Sequence, residues 1–160
     1  MLIDSNVLAD LGTYTRTHVR LAVRVEPGAE WVESDPGKVR RILANLAVNA
    51  VKYTPAGCVE LCAAPENGAV RLAVHDTGPG IAPHERPRIF EPFYRGGDGA
   101  APGAGVGLGL ALARELAHAL GTEIVVEGRA LEGTTFSLLL PLSPPADCTA
   151  PRERVENGRT

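Results

Sequence analysis

The apolar residues of this chain recur with two different periods, which divide it into helices and strands. Within residues 35–54 they fall every three to four positions, as in a helix with one buried face. Asp35 can cap the first turn of this predicted helix, and the Pro-Ala-Gly that follows it ends the pattern. The same period predicts a second helix over residues 108–120, which Gly121 ends, and a shorter one within residues 5–17.

Elsewhere apolar and polar residues alternate, which is the pattern of half-buried strands. The Asn67-Gly68 pair stands between two such stretches and favours the tight turn of a β-hairpin. The last two predicted strands form a closing hairpin. The predicted strands cover residues 19–25, 31–32, 58–63, 69–75, 122–127 and 134–140.

This order of elements predicts an α+β fold. It is a two-layer α/β sandwich, in which helices cover one face of a mixed, mostly antiparallel sheet. A hydrophobic fraction of 44% in 160 residues suits one domain with its own core, here residues 1–142. Residues 143–160 are rich in proline and charge without periodicity, and they are predicted to be a disordered tail.

Composition excludes several classes of function. A net charge of −3 gives no basic footprint for a nucleic-acid partner. Apolar runs are shorter than a membrane span and there is no signal-peptide pattern, so we expect a cytoplasmic domain without membrane contact. Any membrane anchor would lie in parts of the full-length protein outside this chain. Three cysteines argue against a disulfide framework, and Cys58 and Cys62 lack companions at zinc-ligand spacing.

The first long helix carries an unusual polar row beside its apolar face. At about 100° per residue, Asn45, Asn49 and Lys52 lie within roughly 60° of each other. Two amides and an ammonium group in one row suit an oxyanion and its metal ion. The alternative is an ordinary polar stripe that faces solvent.

Two glycine-rich segments follow this helix. Asp76 begins the first, Asp-Thr-Gly-Pro-Gly-Ile, directly after a strand, where its carboxylate can accept a hydrogen bond from an amino group such as that of adenine. A surface turn with a capping Asp is the alternative. The second, residues 103–110, opens a helix whose free N–H groups can meet phosphate. It is neither a Walker loop nor a dinucleotide fingerprint, because the required lysine and spacing are absent. Together with the asparagine row, the segments predict a nucleotide-phosphate site.

Four motifs, in this order, resemble those of the catalytic, ATP-binding domain of sensor histidine kinases, within the superfamily shared with gyrase and the mismatch-repair ATPases. The resemblance covers roughly residues 5–141 and includes the Gly-Thr-Thr-Phe of the closing hairpin. The motifs are an asparagine box at residues 45–53, a first glycine box at 76–81, a phenylalanine box at 89–95 and a second glycine box at 105–110.

The resemblance implies binding of ATP with Mg²⁺. Asn49 would ligate the Mg²⁺ that bridges the phosphates, Asn45 would support that cluster, and Lys52 would reach a phosphate as a point charge. Asp76 would accept a hydrogen bond from the adenine amino group, with Thr134 near it through water.

The remaining implied contacts come from backbone near the base, from N–H groups at the phosphates and from side chains that flank the nucleotide. Residues 96–104 would form a mobile lid over ATP. Arg95 would contact phosphate or the partner domain. These further residues of the implied site are Tyr53, Gly78, Gly80, Ile81, Phe93, Arg95, Gly105, Val106, Gly107, Leu108 and Gly109.

Asn45 also distinguishes between the branches of this superfamily. In the hydrolytic relatives, this position of the asparagine box holds a Glu that activates water, and an amide cannot act as that base. The resemblance therefore implies phosphoryl transfer by positioning and charge neutralisation instead of hydrolysis. The phenylalanine box favours sensor kinases over anti-sigma serine kinases.

The phosphoacceptor histidine is expected on a separate helical domain outside this chain, with a response regulator downstream. Of the four histidines present, His84 precedes a Glu as in acceptor motifs, but prolines flank it and it lies in a loop. Without the dimerisation hairpin, the fragment is expected to be monomeric. Two alternatives stay open: a regulatory module that binds ATP without transfer, and an anti-sigma-type serine/threonine kinase.

Overall fold

Five strands form a single mixed sheet in the computed structural model of the chain, which describes residues 18–96, 106–128 and 132–141. Their spatial order is β1-β2-β3-β5-β4, with β1 parallel to β2 and the other three pairings antiparallel. The described elements are β1 (Val19–Val25), α1 (Pro36–Tyr53), β2 (Gly57–Glu66), β3 (Ala69–Asp76), α2 (Gly109–Ala119), β4 (Val125–Gly128) and β5 (Thr134–Pro141).

The core lies between the sheet and the two helices, which confirms the predicted α+β sandwich. Alternate residues of β2, β3 and β5 are buried, as expected where one face of an antiparallel sheet is covered. Helix α1 contributes seven buried side chains, all on the face that its period predicts. The fully buried large side chains are Phe136, Ile42, Leu46, Leu72, Leu138, Leu140, Val32, Val39, Val59, Val70 and Val74.

Local signals place the helix and turn boundaries close to their predicted positions. The Asp35 side chain caps α1 by accepting a hydrogen bond from the Lys38 N–H at 3.0 Å. Asn67 and Gly68 have φ angles of 49° and 78°, the two left-handed conformations that a type I′ hairpin turn requires. The hairpin of β2 and β3 is therefore confirmed, although β2 extends beyond the predicted residues 58–63.

Two predicted strand segments are wrong. Trp31 makes only an isolated bridge and is 66% exposed, because two residues between turns are too short for a ladder. Residues 122–124 precede β4 instead of belonging to it. The Thr122 N–H donates to Ala117 O at 3.0 Å at the end of α2, and its hydroxyl donates to Leu139 O at 2.7 Å. The predicted helix within residues 5–17 and the tail at 143–160 lie outside the described residues. In the three described ranges, no helix is long and apolar enough to cross a membrane.

Leu46→Ala should lower the free energy of unfolding by about 2–5 kcal/mol, the usual cost of truncating a fully buried leucine. Leu139→Ala is the control, because Leu139 is 43% exposed and its removal leaves no cavity. Urea denaturation of both variants measures the difference. Equal losses would contradict a core centred on α1.

Candidate functional site

A cavity of about 730 Å³ lies where α1, the ends of β3 and β5, and the start of α2 meet. This size is within the usual range for small-molecule and cofactor sites. The structure brings together most of the residues that the sequence singled out. The predicted site residues that line the cavity are Asn45, Asn49, Lys52, Tyr53, Asp76, Gly80, Ile81, Arg95, Val106, Gly107, Leu108, Gly109 and Thr134.

The cavity has two distinct ends, set by the length of α1. Asp76 lies at one end, here called the carboxylate end, and Gly78 and Thr54 pack beside it. Asn45 lies at the other end, here called the amide end. It precedes Thr54 by more than two helical turns, roughly 13 Å along the axis of α1. There, a Cβ at Gly109 would be 3.6 Å from Asn45 Oδ1, so the start of α2 adjoins this amide end.

At the carboxylate end, Asp76 is only 5% exposed and accepts a hydrogen bond from the Gly78 N–H at 2.8 Å. Burial raises the pKa of this carboxyl above its ordinary value, opposed by the N–H groups of Gly78 and Thr134. His75 and the Thr54 hydroxyl also favour the carboxylate, although that hydroxyl forms no hydrogen bond of normal geometry with the described residues. A buried carboxylate of this kind can accept a hydrogen bond from a donor in the cavity.

Close packing around Asp76 leaves little room for a side chain at position 78. A Cβ there would lie 2.9 Å from Asp76 Oδ1 and 3.1 Å from both Thr54 Oγ1 and Tyr53 O. Gly78 binds the Asp76 carboxylate through its N–H and does not line the cavity. The sequence prediction placed its backbone close to the adenine base.

At the amide end, polar groups lack partners within the described structure. The Asn45 side-chain Nδ2 is buried and has no hydrogen-bond partner there. No side chain of the described residues caps the first turn of α2, so backbone N–H groups at its start face the same region. Unpaired donors at a helix N-terminus fit an anionic group such as phosphate.

A divalent cation at this end would depend on amides and on its ligand's own oxygens. The described residues contain no cluster of three or more His, Cys, Asp or Glu side chains that could hold a metal. Asn49 and Asn45 supply amide oxygens in the cavity, and Mg²⁺ commonly takes few protein ligands alongside phosphates and water. The donor set therefore fits Mg²⁺ carried by a polyphosphate.

Phe93 does not line the cavity, although it was expected at the nucleotide. Its φ is 65°, it is 67% exposed, and its N–H donates to Gly107 O at 2.9 Å. The residue therefore joins the phenylalanine box to the second glycine box through its backbone. Gly107 permits this contact, because its own φ is 79° and a Cβ there would lie 3.0 Å from the Phe93 backbone. The predicted site residue Gly105 and lid residues 97–104 lie outside the described ranges.

Sequence reasoning also missed part of the lining. Val48 and Val51 lie at helical spacing from the asparagine row, and Phe136 lies two residues after Thr134 on the same face of its strand. These periods could have predicted that all three line the cavity. No sequence pattern indicates that Glu85 lines the cavity. Its carboxylate accepts a hydrogen bond from the Tyr94 hydroxyl at 3.4 Å. The missed lining residues are Val48, Val51, Pro79, Glu85, Ile89, Tyr94, Leu110 and Phe136, whereas Gly96, which also lines the cavity, is the first residue of the predicted lid.

A mixed sheet covered by two helices, with a buried carboxylate and the start of a helix around one cavity, fits the histidine-kinase-like class of ATPase domains. The family described as histidine kinase-, DNA gyrase B-, and HSP90-like ATPase matches residues 34–144. The chain belongs to this family.

Several proteins to which the chain is similar are sensor histidine kinases. The chain is 39% identical over 139 residues to the sensor histidine kinase AtsR of Burkholderia thailandensis, covering 84% of this chain but only 23% of AtsR. Full-length ShkA, solved in complex with AMPPNP, superposes with a TM-score of 0.76 at 35% identity, over 91% of this chain and 31% of ShkA. The mycobacterial sensor histidine kinase MprB gives a TM-score of 0.73 at 27% identity, over 91% of this chain and all (100%) of that structure.

Proposed function

We propose that this domain binds ATP with Mg²⁺ and transfers the γ-phosphoryl group to a histidine on a separate helical phosphoacceptor domain. It would thus be the catalytic domain of a two-component sensor histidine kinase, with a response regulator downstream. The observation that carries the proposal is a single cavity that places buried Asp76 at one end and unpaired donors at the other. Similarity to sensor histidine kinases supports it.

Each end of the cavity would hold one part of the nucleotide. Asp76 accepts a hydrogen bond from the adenine amino group, with Thr134 beside it. Lys52 and the N–H groups at the start of α2 bind phosphate oxygens, and Asn45 Nδ2 gains the partner that it lacks. Asn49 ligates Mg²⁺, which supplies charge neutralisation at the phosphates.

Asn45 favours transfer over hydrolysis. It lies where the start of α2 meets the cavity, and its amide cannot take a proton from water. The domain would therefore position ATP for attack by the acceptor histidine, which is the nucleophile, without supplying a base for water.

Exposed apolar residues beside the amide end provide a surface for the acceptor domain. Phe93, Val106 and Leu108 are 67%, 69% and 44% exposed, and Leu112 follows one turn along α2 at 37%. A helical domain that covered them would bring its histidine to the phosphates.

Two assays test the proposal. Calorimetry should show millimolar or tighter binding of ATP that weakens when EDTA removes Mg²⁺. Radiolabelled ATP, mixed with this domain and the acceptor domain of its own kinase, should then give an acid-labile, base-stable label on histidine. Absence of binding at millimolar ATP would overturn the whole proposal. Binding without transfer would support the regulatory module, and an acid-stable label the serine/threonine kinase.

A further inference from the structure

An aromatic and cationic contact lies behind the cavity wall. Phe136 lines the cavity and is 1% exposed. The Phe90 ring meets it edge to face, with ring centroids 6.3 Å apart and planes at 85°. The Arg114 guanidinium carbon lies 5.5 Å from the Phe90 ring centroid. Three side chains from three different segments are thus stacked from the cavity to helix α2.

Helix α2 therefore contacts the site in two ways. Its first turn, at Gly109, adjoins the amide end, and Arg114 in its second turn packs on Phe90. Phe90 begins the stretch that runs through Phe93 to the cavity residues Tyr94 and Arg95. The contacts of Phe90 therefore join that stretch to α2, in addition to the backbone bond between Phe93 and Gly107.

The Arg114 contact carries a cost in stability. Its Nε is buried and has no hydrogen-bond partner in the described part of the chain, so the desolvation of this group offsets part of what the cation–π contact with Phe90 contributes. An unbranched aliphatic side chain would fill the same space over Phe90 without that cost. A costly cation at this position suggests a role other than stabilising the fold.

We propose that Arg114 is a positioning residue for the nucleotide site, acting through Phe90. It does not line the cavity. It holds the Phe90 ring against Phe136, and so keeps residues 94–96 in place beside the first turn of α2. This inference rests on the proposed binding of ATP.

The variant Arg114→Met keeps the volume of the side chain and removes its charge. It should weaken ATP binding by about fivefold to tenfold, the size expected of one partly desolvated cation–π contact. Its melting temperature should be unchanged or higher, because the buried Nε is gone. Amide hydrogen exchange at residues 90–96 should be faster, with or without nucleotide. Arg114→Lys, which restores a cation, should recover part of the affinity.

Arg88→Met is the matched control. Arg88 also lies over an aromatic ring of this stretch, 4.5 Å from the Tyr94 centroid, but its side chain is 58% exposed. It should change ATP affinity by less than about twofold, since exposed cation–π contacts contribute little.

A double-mutant cycle with Phe90→Leu tests whether Arg114 acts through that ring. The effects of the two substitutions on ATP affinity should be clearly less than additive. Unchanged exchange at residues 90–96 in Arg114→Met, or additive effects in the cycle, would overturn the inference even if the wild type binds ATP. A wild type that fails to bind ATP would overturn the proposed function instead, and the positioning role with it, whatever the exchange data show.

Discussion

Asp76→Asn should remove most of the affinity for ATP while leaving the folded domain at least as stable at neutral pH. The amide keeps an oxygen for the Gly78 N–H, which lies 2.8 Å from Asp76 Oδ1, but its other group is a donor that faces the donor of adenine. Replacing an attractive, charge-assisted bond by this mismatch costs on the order of a hundredfold in affinity or more. Calorimetry with Mg²⁺ and ATP measures the loss.

The expected stability follows from the direction of the Asp76 pKa shift. Burial raises the pKa of this carboxyl in the folded state above its ordinary value of 3.8, so the native protein holds the proton more tightly than the unfolded chain. The contribution of Asp76 to stability is therefore greatest below pH 3.8 and declines as pH rises through the folded-state pKa. Asp76→Asn lacks this decline, so its stability relative to wild type should increase from acidic to neutral pH in urea denaturation.

Asp35→Asn is the matched control for both measurements. Asp35 is exposed on the N-terminus of α1, and its pKa is lowered, chiefly by the side chain of Lys38. ATP affinity should not change, because Asp35 does not line the cavity and asparagine caps helices as well as aspartate does. Because the pKa of Asp35 is lowered, the stability of Asp35→Asn relative to wild type should decrease from acidic to neutral pH, opposite to Asp76→Asn. An Asp76→Asn variant that binds ATP like wild type would contradict the assignment of Asp76 to the base. One that unfolds at neutral pH would contradict the cost assigned to its burial.

Regular periods explain why much of the site could be predicted from the sequence. Asn45, Asn49 and Lys52 share one side of α1 because the helical repeat determines their relative directions, and all three line the cavity. Asp76 lies at a strand end because the alternation of β3 stops there and glycine follows. The same helical spacing directs Val48 and Val51 into the cavity. Their side chains are apolar, and the sequence pattern alone does not separate an apolar residue in the core from one that lines a cavity.

Contacts between segments distant in sequence could not be predicted in this way. The packing of Arg114 on Phe90 joins two segments that no period relates, and it depends on how α2 packs beside α1. The outward position of Phe93 follows from a positive φ and a backbone bond to Gly107, neither of which its residue type suggests. Thr122 fits the alternation of a strand, but its N–H donates to Ala117 O at the end of α2, so the strand begins only after it.

Gly133→Ala should be strongly destabilising, with a loss of about 3–4 kcal/mol in the free energy of unfolding. Gly133 precedes β5 with a φ of 88°, and a Cβ there would lie 2.0 Å from the carbonyl oxygen of Asp76 and 3.2 Å from Thr77 Cα. These neighbours are backbone atoms, so no side-chain rotation can relieve the overlap. The methyl group must push β5 away from β3 at the pairing of Asp76 with Thr134, where the cavity begins.

Gly68→Ala separates this overlap from the cost of a left-handed backbone. Gly68 has a similar φ of 78°, but nothing lies within 4 Å of a Cβ there. It should lose only about 1 kcal/mol, the ordinary penalty for an L-residue in that conformation. Urea denaturation compares the two, and calorimetry should show weakened ATP binding only in Gly133→Ala, because only that change displaces Asp76. Similar losses of stability in both variants would contradict the predicted overlap between the methyl group added by Gly133→Ala and the Asp76 carbonyl oxygen.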